Sequence, residues 1–568
     1  MKNMYDLRDL LRSIDRKSYP AYKSAAGAWD FQNYHLFIDH VQGDPFASPS
    51  NVHVEISMEK AGFPKSYWEK DCCRIALEDD LTRRMGKEFE QYNFKAKGSG
   101  KSGLLAISRC GQEILERSAC EIKDQKLILR FFIGFPAFGR TINAGELEKI
   151  LFQFLPRCVE NSLFYRNIDQ KRLERVIFLA EDQNRLREIL KEEGLVAFVA
   201  NGSILPRKSG VSELPMKGSV PFLSPESMER TVLLPHGGEM KGMGIPKGIT
   251  LIVGGGYHGK STLLEAIQNG VYNHIEGDGR EFVITEETAV KVRAEDGRSV
   301  RNVDISMFIN DLPNGKDTAS FSTGDASGST SQAAIVSEGI EAGTTLFLVD
   351  EDTSATNFMV RDEFMQQVIS RDKEPITPFI ERIRDLYEKA GISTIMVAGS
   401  SGAFFYEGDR ILQMDCYRAV DITKRVKELC QARGREEGKS SKAPAFALPE
   451  FDRKLPAFKR KGRTDGKYEH MKVKSHGLEG FSLDKEMVDV RYLEQLVDSE
   501  QTAALAYLMR FALERGMDGN RTVRELVELL EKTLEKKGWE AFCGSYVPCG
   551  LAKPRIQEMF ASLNRFRG

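Results

Sequence analysis

Apolar residues fall along this chain in two alternating rhythms. Tyr5 to Ile14, Leu147 to Phe154 and Leu173 to Leu190 carry them at helical spacing, whereas Asn51 to Ser57 alternates like a strand and Leu127 to Gly134 is a nearly continuous apolar run. These elements predict an α/β module over residues 1–215. Proline- and glycine-rich sequence from Leu205 to Pro246 marks the passage into a second region, 216–430, with short apolar strands at Ile249 to Val253, Thr345 to Val349 and Ile392 to Ala398. Residues 431–475 are poor in apolar positions and rich in Lys, Arg, Gly, Ser and Pro, including Arg453, Lys454, Lys459, Arg460, Lys461, Arg463 and Lys467, and predict a flexible basic connector. From 476 the pattern is helical again, over Val490 to Val497, Thr502 to Leu513 and Val523 to Lys536. It predicts a small helical C-terminal domain, 476–568.

One junction of strand and helix carries candidate chemistry. The run Ile249 to Val253 meets Gly254-Gly255-Gly256-Tyr257-His258-Gly259-Lys260-Ser261-Thr262, and an apolar helical segment follows. The spacing is that of a phosphate-binding loop: glycines free the backbone N–H groups to face phosphate oxygens, and the next helix points its positive end at the same anion. Lys260 would reach the β- and γ-phosphates of ATP and Ser261 would ligate Mg²⁺. His258 either lines the phosphate site or faces solvent. Thr345 to Glu351 is an apolar strand ending in two acids. Asp350 would hold the Mg²⁺, and Glu351 would polarise an attacking water. Between these, Ser327-Gly328-Ser329-Thr330-Ser331-Gln332 opens a helical segment whose N–H groups and hydroxyls suit an anion. The order and spacing are those of an ABC-type P-loop core, with Asp352 to Asn357 where a D-loop would lie.

Composition adjusts this picture little. Hydrophobic residues make up 41% and charged residues 29% of 568, with a formal net charge of −2, so any nucleic-acid contact rests on a local patch. The nine scattered cysteines include no C-x-x-C pair, which predicts reduced thiols and a cytoplasmic setting. The most apolar window, Leu127 to Phe138, is interrupted by Arg130, Gly134 and Pro136, so no membrane span is expected. The N-terminal residues mix charged and apolar side chains and do not read as a secretory signal.

Other candidates divide between chemistry and packing. Gly98-Ser99-Gly100-Lys101-Ser102 imitates a phosphate loop, but Lys95 stands where the first glycine should. It reads as a basic glycine-rich loop, one that could touch a phosphate backbone through Lys95, Lys97 and Lys101. His274, Asp278, Arg280 and Glu281 suggest a metal cluster; the dispersed histidines favour a tight turn at Gly277-Asp278-Gly279 instead. Arg280 and Arg298 are either charge partners or surface residues. Phe222 either stacks on adenine or is buried.

GGGYHGKSTLL, GDGRE (Gly277 to Glu281), AEDGR (Ala294 to Arg298), ASGSTSQAA (Ala326 to Ala334), DEDTSATNFMVRD (Asp350 to Asp362) and EPITPF (Glu374 to Phe379) follow in order. With GFPAFGR (Gly134 to Arg140) and AFVANGSILPR (ending at Arg207), they resemble the predicted ATPases of the ABC class. That family has bacterial members and a kinetoplastid mitochondrial member associated with RNA editing. The resemblance implies an ABC-type P-loop core between an α/β N-terminal domain and a small helical C-terminal domain. It also implies a head-to-tail homodimer that hydrolyses ATP with Mg²⁺ and acts on RNA or another nucleic acid. Lys260 of one subunit would then share ATP with Ser327, Gly328, Ser329 and Gln332 of the other. This sequence departs from ABC proteins in three places. Gly399-Ser400-Ser401 stands where the switch histidine is usual, leaving Ser400 to face the γ-phosphate; Asn310 is the nearest candidate for the Q-loop glutamine; and the signature is not LSGGQ. Together they point to slow turnover or a nucleotide-gated clamp. A P-loop kinase acting on RNA ends or a small molecule, and a non-hydrolysing ATP-dependent nucleic-acid binder, are the alternative readings.

Overall fold

A computed structural model describes residues 1–361, 373–433, 444–458 and 470–567. The chain forms two compact units: Met1–Glu181 with Lys537–Lys553, and Asp182–Lys536 with Pro554–Gly568.

The first unit is built on an antiparallel sheet. Ser50–Ser57 pairs along its whole length with Lys126–Ile133, where alternation and the apolar run had predicted strands. His35–His40 and Gly27–Asp30 extend the sheet on one side, and Leu105–Ala106 and Cys120–Lys123 both pair with Lys126–Ile133. The first helix, Met4–Ile14, is started by Asn3, whose side chain accepts the N–H groups of Tyr5 and Asp6, and it buries Leu7, Leu11 and Ile14 at helical spacing. The predicted helix at 147–154 is a short helix, Ala144–Lys149, that widens into a π-turn over Ile150–Phe154.

Two larger sheets lie in the second unit. An antiparallel one runs in the order Glu229–Leu234, Gly238–Pro246, Leu195–Ala200, Val283–Thr285. Residues 195–200 thus belong to this unit although they precede the proline-rich passage. The other sheet runs Val290–Val292, Leu346–Asp350, Ser393–Val397, Ile249–Val253, Arg410–Asp415, Arg418–Asp421, parallel except for the last pair. Its three central strands are buried throughout, which is why they read as unbroken apolar runs.

The C-terminal region is helical over Ser499–Phe511, Val523–Lys537 and Ile556–Arg565. It also holds a three-stranded sheet, Val473–Ser475, Gly480–Leu483 and Glu486–Asp489, that its sequence did not announce. Val490 to Val497 forms turns, not the expected helix. There Gln495 is buried and donates to the carbonyls of Gln268 and Ala289, bonds that a helix would have to give up. Of the basic connector, Lys459, Arg460, Lys461, Arg463 and Lys467 lie outside the described residues. Arg453 does not act as a solvated linker residue: it makes bonds to the Glu341 carboxylate at 2.6–3.0 Å, and Leu455 beside it is buried. All nine cysteines are thiols, none of them in a disulfide. Among the described residues, no helix is long and apolar enough to cross a membrane.

Candidate functional site

The glycine-rich loop leaves the strand Ile249–Val253 and enters the helix Lys260–Asn269. Two of its glycines have conformations that L side chains rarely adopt, Gly254 at φ +140° and Gly259 at φ +96°. A Cβ on Gly254 would stand 2.4 Å from the Met414 carbonyl oxygen, so the loop lies against the neighbouring strand. Tyr257 also has a left-handed backbone, φ 62°, and its ring is fully exposed. The Lys260 ammonium donates to the carbonyls of Gly254 and Gly255, both at 2.8 Å, which fixes its charge over the loop.

This loop floors a cavity of about 790 Å³. Gly256, Tyr257, Gly259, Lys260, Ser261 and Thr262 of the loop line it, together with Asp352. The lining also holds apolar side chains, Leu205, Pro206, Met216 and Val220, while Met414 and Tyr417 lie beside Gly259, 3.8 and 3.2 Å from where its Cβ would be. Its size suits a nucleotide-sized ligand, and its lining combines polar loop groups with apolar side chains. Phe222 lines the wall but is buried, with its backbone bonded to Ser203 and Gly202. Two aromatics of the lining are exposed, Tyr257 and Tyr417, and the sequence pattern does not single out Tyr417. It sits in the turn between Arg410–Asp415 and Arg418–Asp421, where Cys416 and Tyr417 both have positive φ, 47° and 67°. Such two-residue turns usually carry Asn-Gly, so Cys-Tyr holds local strain, and strain of this kind gathers at functional sites. The same turn presents the Cys416 N–H to Nδ1 of His258 at 2.9 Å. His258 thus braces the phosphate loop, a role its sequence position did not reveal. Among the described residues, His258, Asp415 and Cys416 are also the one trio of side chains spaced to share a metal ion.

The acids lie one strand away. Asp350 ends the buried strand Leu346–Asp350, and its carboxylate accepts the Asp352 N–H at 3.1 Å. The strand Ser393–Val397 lies between it and the phosphate-loop strand, and its C-terminal end delivers Gly399 and Ser400 to Glu351. Both backbone N–H groups donate to Oε2 of Glu351, at 2.6 and 2.9 Å, and the Ser400 hydroxyl donates to Oε1. Partial burial pushes the Glu351 carboxyl up, but these donors outweigh it and hold the group below the usual carboxylate range.

The remaining motifs converge in two places. Ser327 starts the helix Gly328–Glu341 without a side-chain cap, and it is exposed. Behind it, Ser329 donates to Asn357 at 2.6 Å, and Gln332 accepts the Ala355 N–H at 2.7 Å, so both are buried against the segment following Glu351. Ser331 accepts the Glu295 N–H, and Glu338 of the same helix pairs with Arg298. Glu295 in turn meets Arg565 of the last helix at 2.5 Å. Arg298 is therefore a buried charge partner.

Elsewhere Asp278 is buried between His274 and Arg207, both at 2.9 Å. Burial raises its carboxyl, but the His274 and Arg207 bonds leave it below the usual range. Arg280, also buried, donates to the Leu205 carbonyl at the cavity rim. The His274–Glu281 segment thus makes an ion-pair knot under the wall of the cavity. Asn310 donates to the Ser306 carbonyl at 2.6 Å.

Three family models cover most of the chain: "ATPase of the ABC class N-terminal" over 4–166, "P-loop domain" of the ABC ATPases over 169–448, and "MRB1590 C-terminal domain" over 472–568. The chain belongs to the ABC-class ATPases. A protein of Methanocaldococcus jannaschii, described only as uncharacterized protein MJ1628, is 36% identical to this ATPase over 262 residues. That match covers 44% of this chain and 57% of the relative. Similar solved structures include MJ1267, an ATP-binding cassette of an ABC transporter in its ADP conformation, at 12% identity over 41% of this chain and 94% of that one. Another is cbiO1 from Clostridium perfringens, part of an ABC transporter complex, at 13% identity over 41% and 91%. The TM-score is 0.25 for each.

Proposed function

We propose that this ATPase hydrolyses ATP in a head-to-tail homodimer and uses the closing and opening of that dimer to grip a nucleic acid, RNA in the first instance. The observation that carries the reading is the Glu351 carboxylate. Three donors beyond the strand Ser393–Val397 fix it in its charged form, at the edge that also ends in Asp350. A carboxylate held charged and oriented is what a water-positioning residue needs.

In this reading Lys260, the N–H groups of Gly255 to Ser261 and the positive end of the helix Lys260–Asn269 hold the phosphates. The base lies against Tyr417 and the apolar side chains of the lining. Ser261 and Asp350 suit a Mg²⁺ ion, whose contribution would be to neutralise charge on the β- and γ-phosphates. Glu351 orients water for in-line attack on the γ-phosphate. Ser327 and the uncapped first turn of its helix are not part of the cavity's lining, which supports their use as an anion site for the ATP of a second copy. Ser329 and Gln332 then act by bracing that helix end. Ser400, bonded to Glu351, positions the acid and does not replace a histidine on the phosphate. Turnover is slow in consequence, and the setting is the cytoplasm. The domain scheme that goes with this reading is the α/β N-terminal domain, the ATPase core, the basic connector and the helical C-terminal domain.

The test is Glu351→Gln. Turnover measured as phosphate release is expected to fall by about 10²- to 10⁴-fold. ATP should remain bound, and light scattering should report a doubled mass with ATP. Unchanged phosphate release removes Glu351 from the water-positioning role, and a monomer at saturating ATP removes the dimer.

A further inference from the structure

The loop in the first unit that imitates a phosphate loop is built with unusual rigidity. A Cβ on Gly98 would meet the Ala137 carbonyl at 2.8 Å, and one on Gly100 would meet the Pro45 carbonyl at 2.5 Å. A Cβ on Gly134 would stand 1.8 Å from the Lys101 carbonyl. Hydrogen bonds clasp the loop from both sides: Ser99 N–H to Ala137 O, Lys101 N–H to Pro45 O, and Gly139 N–H to the Ser99 hydroxyl, at 2.8, 2.8 and 2.9 Å. The two clasping segments are tied to each other by Arg140 on Asp44, at 2.6 Å.

Each clasp carries an exposed phenylalanine. Phe46 is 61% and Phe138 67% exposed, although the first unit has a large apolar core in which to bury such rings. Phe46 lies over Gly100, its ring carbon 3.0 Å from where a Cβ would be. The loop and its clasps also carry cations: Lys101 on the loop, Lys97 preceding it, and Arg140 two residues after Phe138, its side chain 77% exposed. The neighbouring acids are engaged, Asp44 by Arg140 and the Phe46 N–H, and Glu146 by Lys149 and the Lys97 N–H.

Exposed rings and cations gathered on one tightly clasped loop and its neighbours match the chemistry of an unpaired nucleic-acid strand, whose bases stack on aromatic faces and whose phosphates pair with Lys and Arg. We propose that Phe46, Phe138, Lys101 and Arg140 form a platform for single-stranded nucleic acid. The bases stack on the two rings, and the phosphates run along the loop. This rests on the nucleic-acid reading above and gives the strand a place on the chain. Sequence preference is weak, because every base offers a face to stack.

The experiment uses the full chain and a fluorescein-labelled 20-nucleotide oligouridylate, with anisotropy read across a KCl series. Wild type is expected to bind, with affinity falling as salt rises. Phe46→Ala with Phe138→Ala should weaken binding by at least about 5-fold, the lower bound for losing one stacked base, with an unchanged melting midpoint because both rings are exposed. Lys101→Ala with Arg140→Gln should lower the slope of log affinity against log salt by about 0.7 for each phosphate that is no longer neutralised. If both double variants bind as tightly as wild type with the same salt slope, the platform is wrong while nucleic-acid binding stands. If wild type itself does not bind, both readings fall, and a protein partner becomes the better use of the exposed rings.

Discussion

Ser400 donates both its hydroxyl and its backbone N–H to the carboxylate of Glu351, although 49 residues separate the two in the chain. The parallel sheet makes them neighbours by placing Ser393–Val397 beside Leu346–Asp350 in register. This relationship fixes how the proposed hydrolysis should respond to pH. The folded Glu351 carboxyl lies below its usual range, so it stays charged as pH falls through that range. Activity should be lost only as pH drops through the lowered value. Ser400→Ala removes one of the donors that favour the charged form and raises the group. The acidic limb of the kcat profile is therefore expected at higher pH in the variant, and a limb that does not move separates Ser400 from Glu351.

Tyr417 and Phe222 border the same cavity but differ in exposure, and the two should fail differently when truncated. Tyr417→Ala is expected to raise the Kd for ATP by about 5- to 150-fold, as loss of a base-stacking face does, with the melting midpoint unchanged. Phe222→Ala is expected to destabilise the fold by about 3–5 kcal/mol, as emptying a buried aromatic site does. Fluorescent-nucleotide titration and thermal melting on both variants check the contrast.

Gly254→Ala tests whether the phosphate loop depends on its backbone. The new methyl would need a positive φ and would collide with the Met414 carbonyl. Strain alone costs about 1–3 kcal/mol. The expected result is a lowered melting midpoint together with lost nucleotide binding, whereas Gly256, which has open space at its Cβ position, should accept Ala with little change in stability.

Glu295 and Arg565 form a buried pair that ties the last helix to the segment bonded to Ser331. Arg565→Ala strands the Glu295 carboxylate and is expected to destabilise by about 3–5 kcal/mol. Replacing both with apolar residues, Glu295→Leu with Arg565→Met, should be far milder, since no buried charge remains unpaired. Urea unfolding of the single and double variants measures the difference.

The phosphate loop and the acid strand were legible because each is a local pattern: a glycine spacing, and an apolar run ended by acids. The strands around them were legible too, being buried on both faces. Tyr417 was not, since its role comes from a strained turn that places a distant residue over Gly259. Ser400 could be named as the residue at the histidine's position, but its bond to Glu351 depends on strand order, which no local pattern encodes. Val490 to Val497 misled for a related reason. Its spacing suits a helix, while Gln495 is held by backbone carbonyls far away in the sequence. Arg453 resembled one more solvated cation because its partner Glu341 lies 112 residues back.

The C-terminal segment matched by the third family model contributes buried contacts to both units. Within the first unit, Cys549 is part of the core, Ala552 bridges to Arg117, and Ser118 bonds to Pro548 and Leu551. Within the second, Gln495 bonds to the carbonyls of Gln268 and Ala289, and Arg565 pairs with the buried Glu295. A stop codon near residue 472 would therefore strip contacts from both units at once. The tail is a structural member of two units, and its truncation is a stability lesion in each.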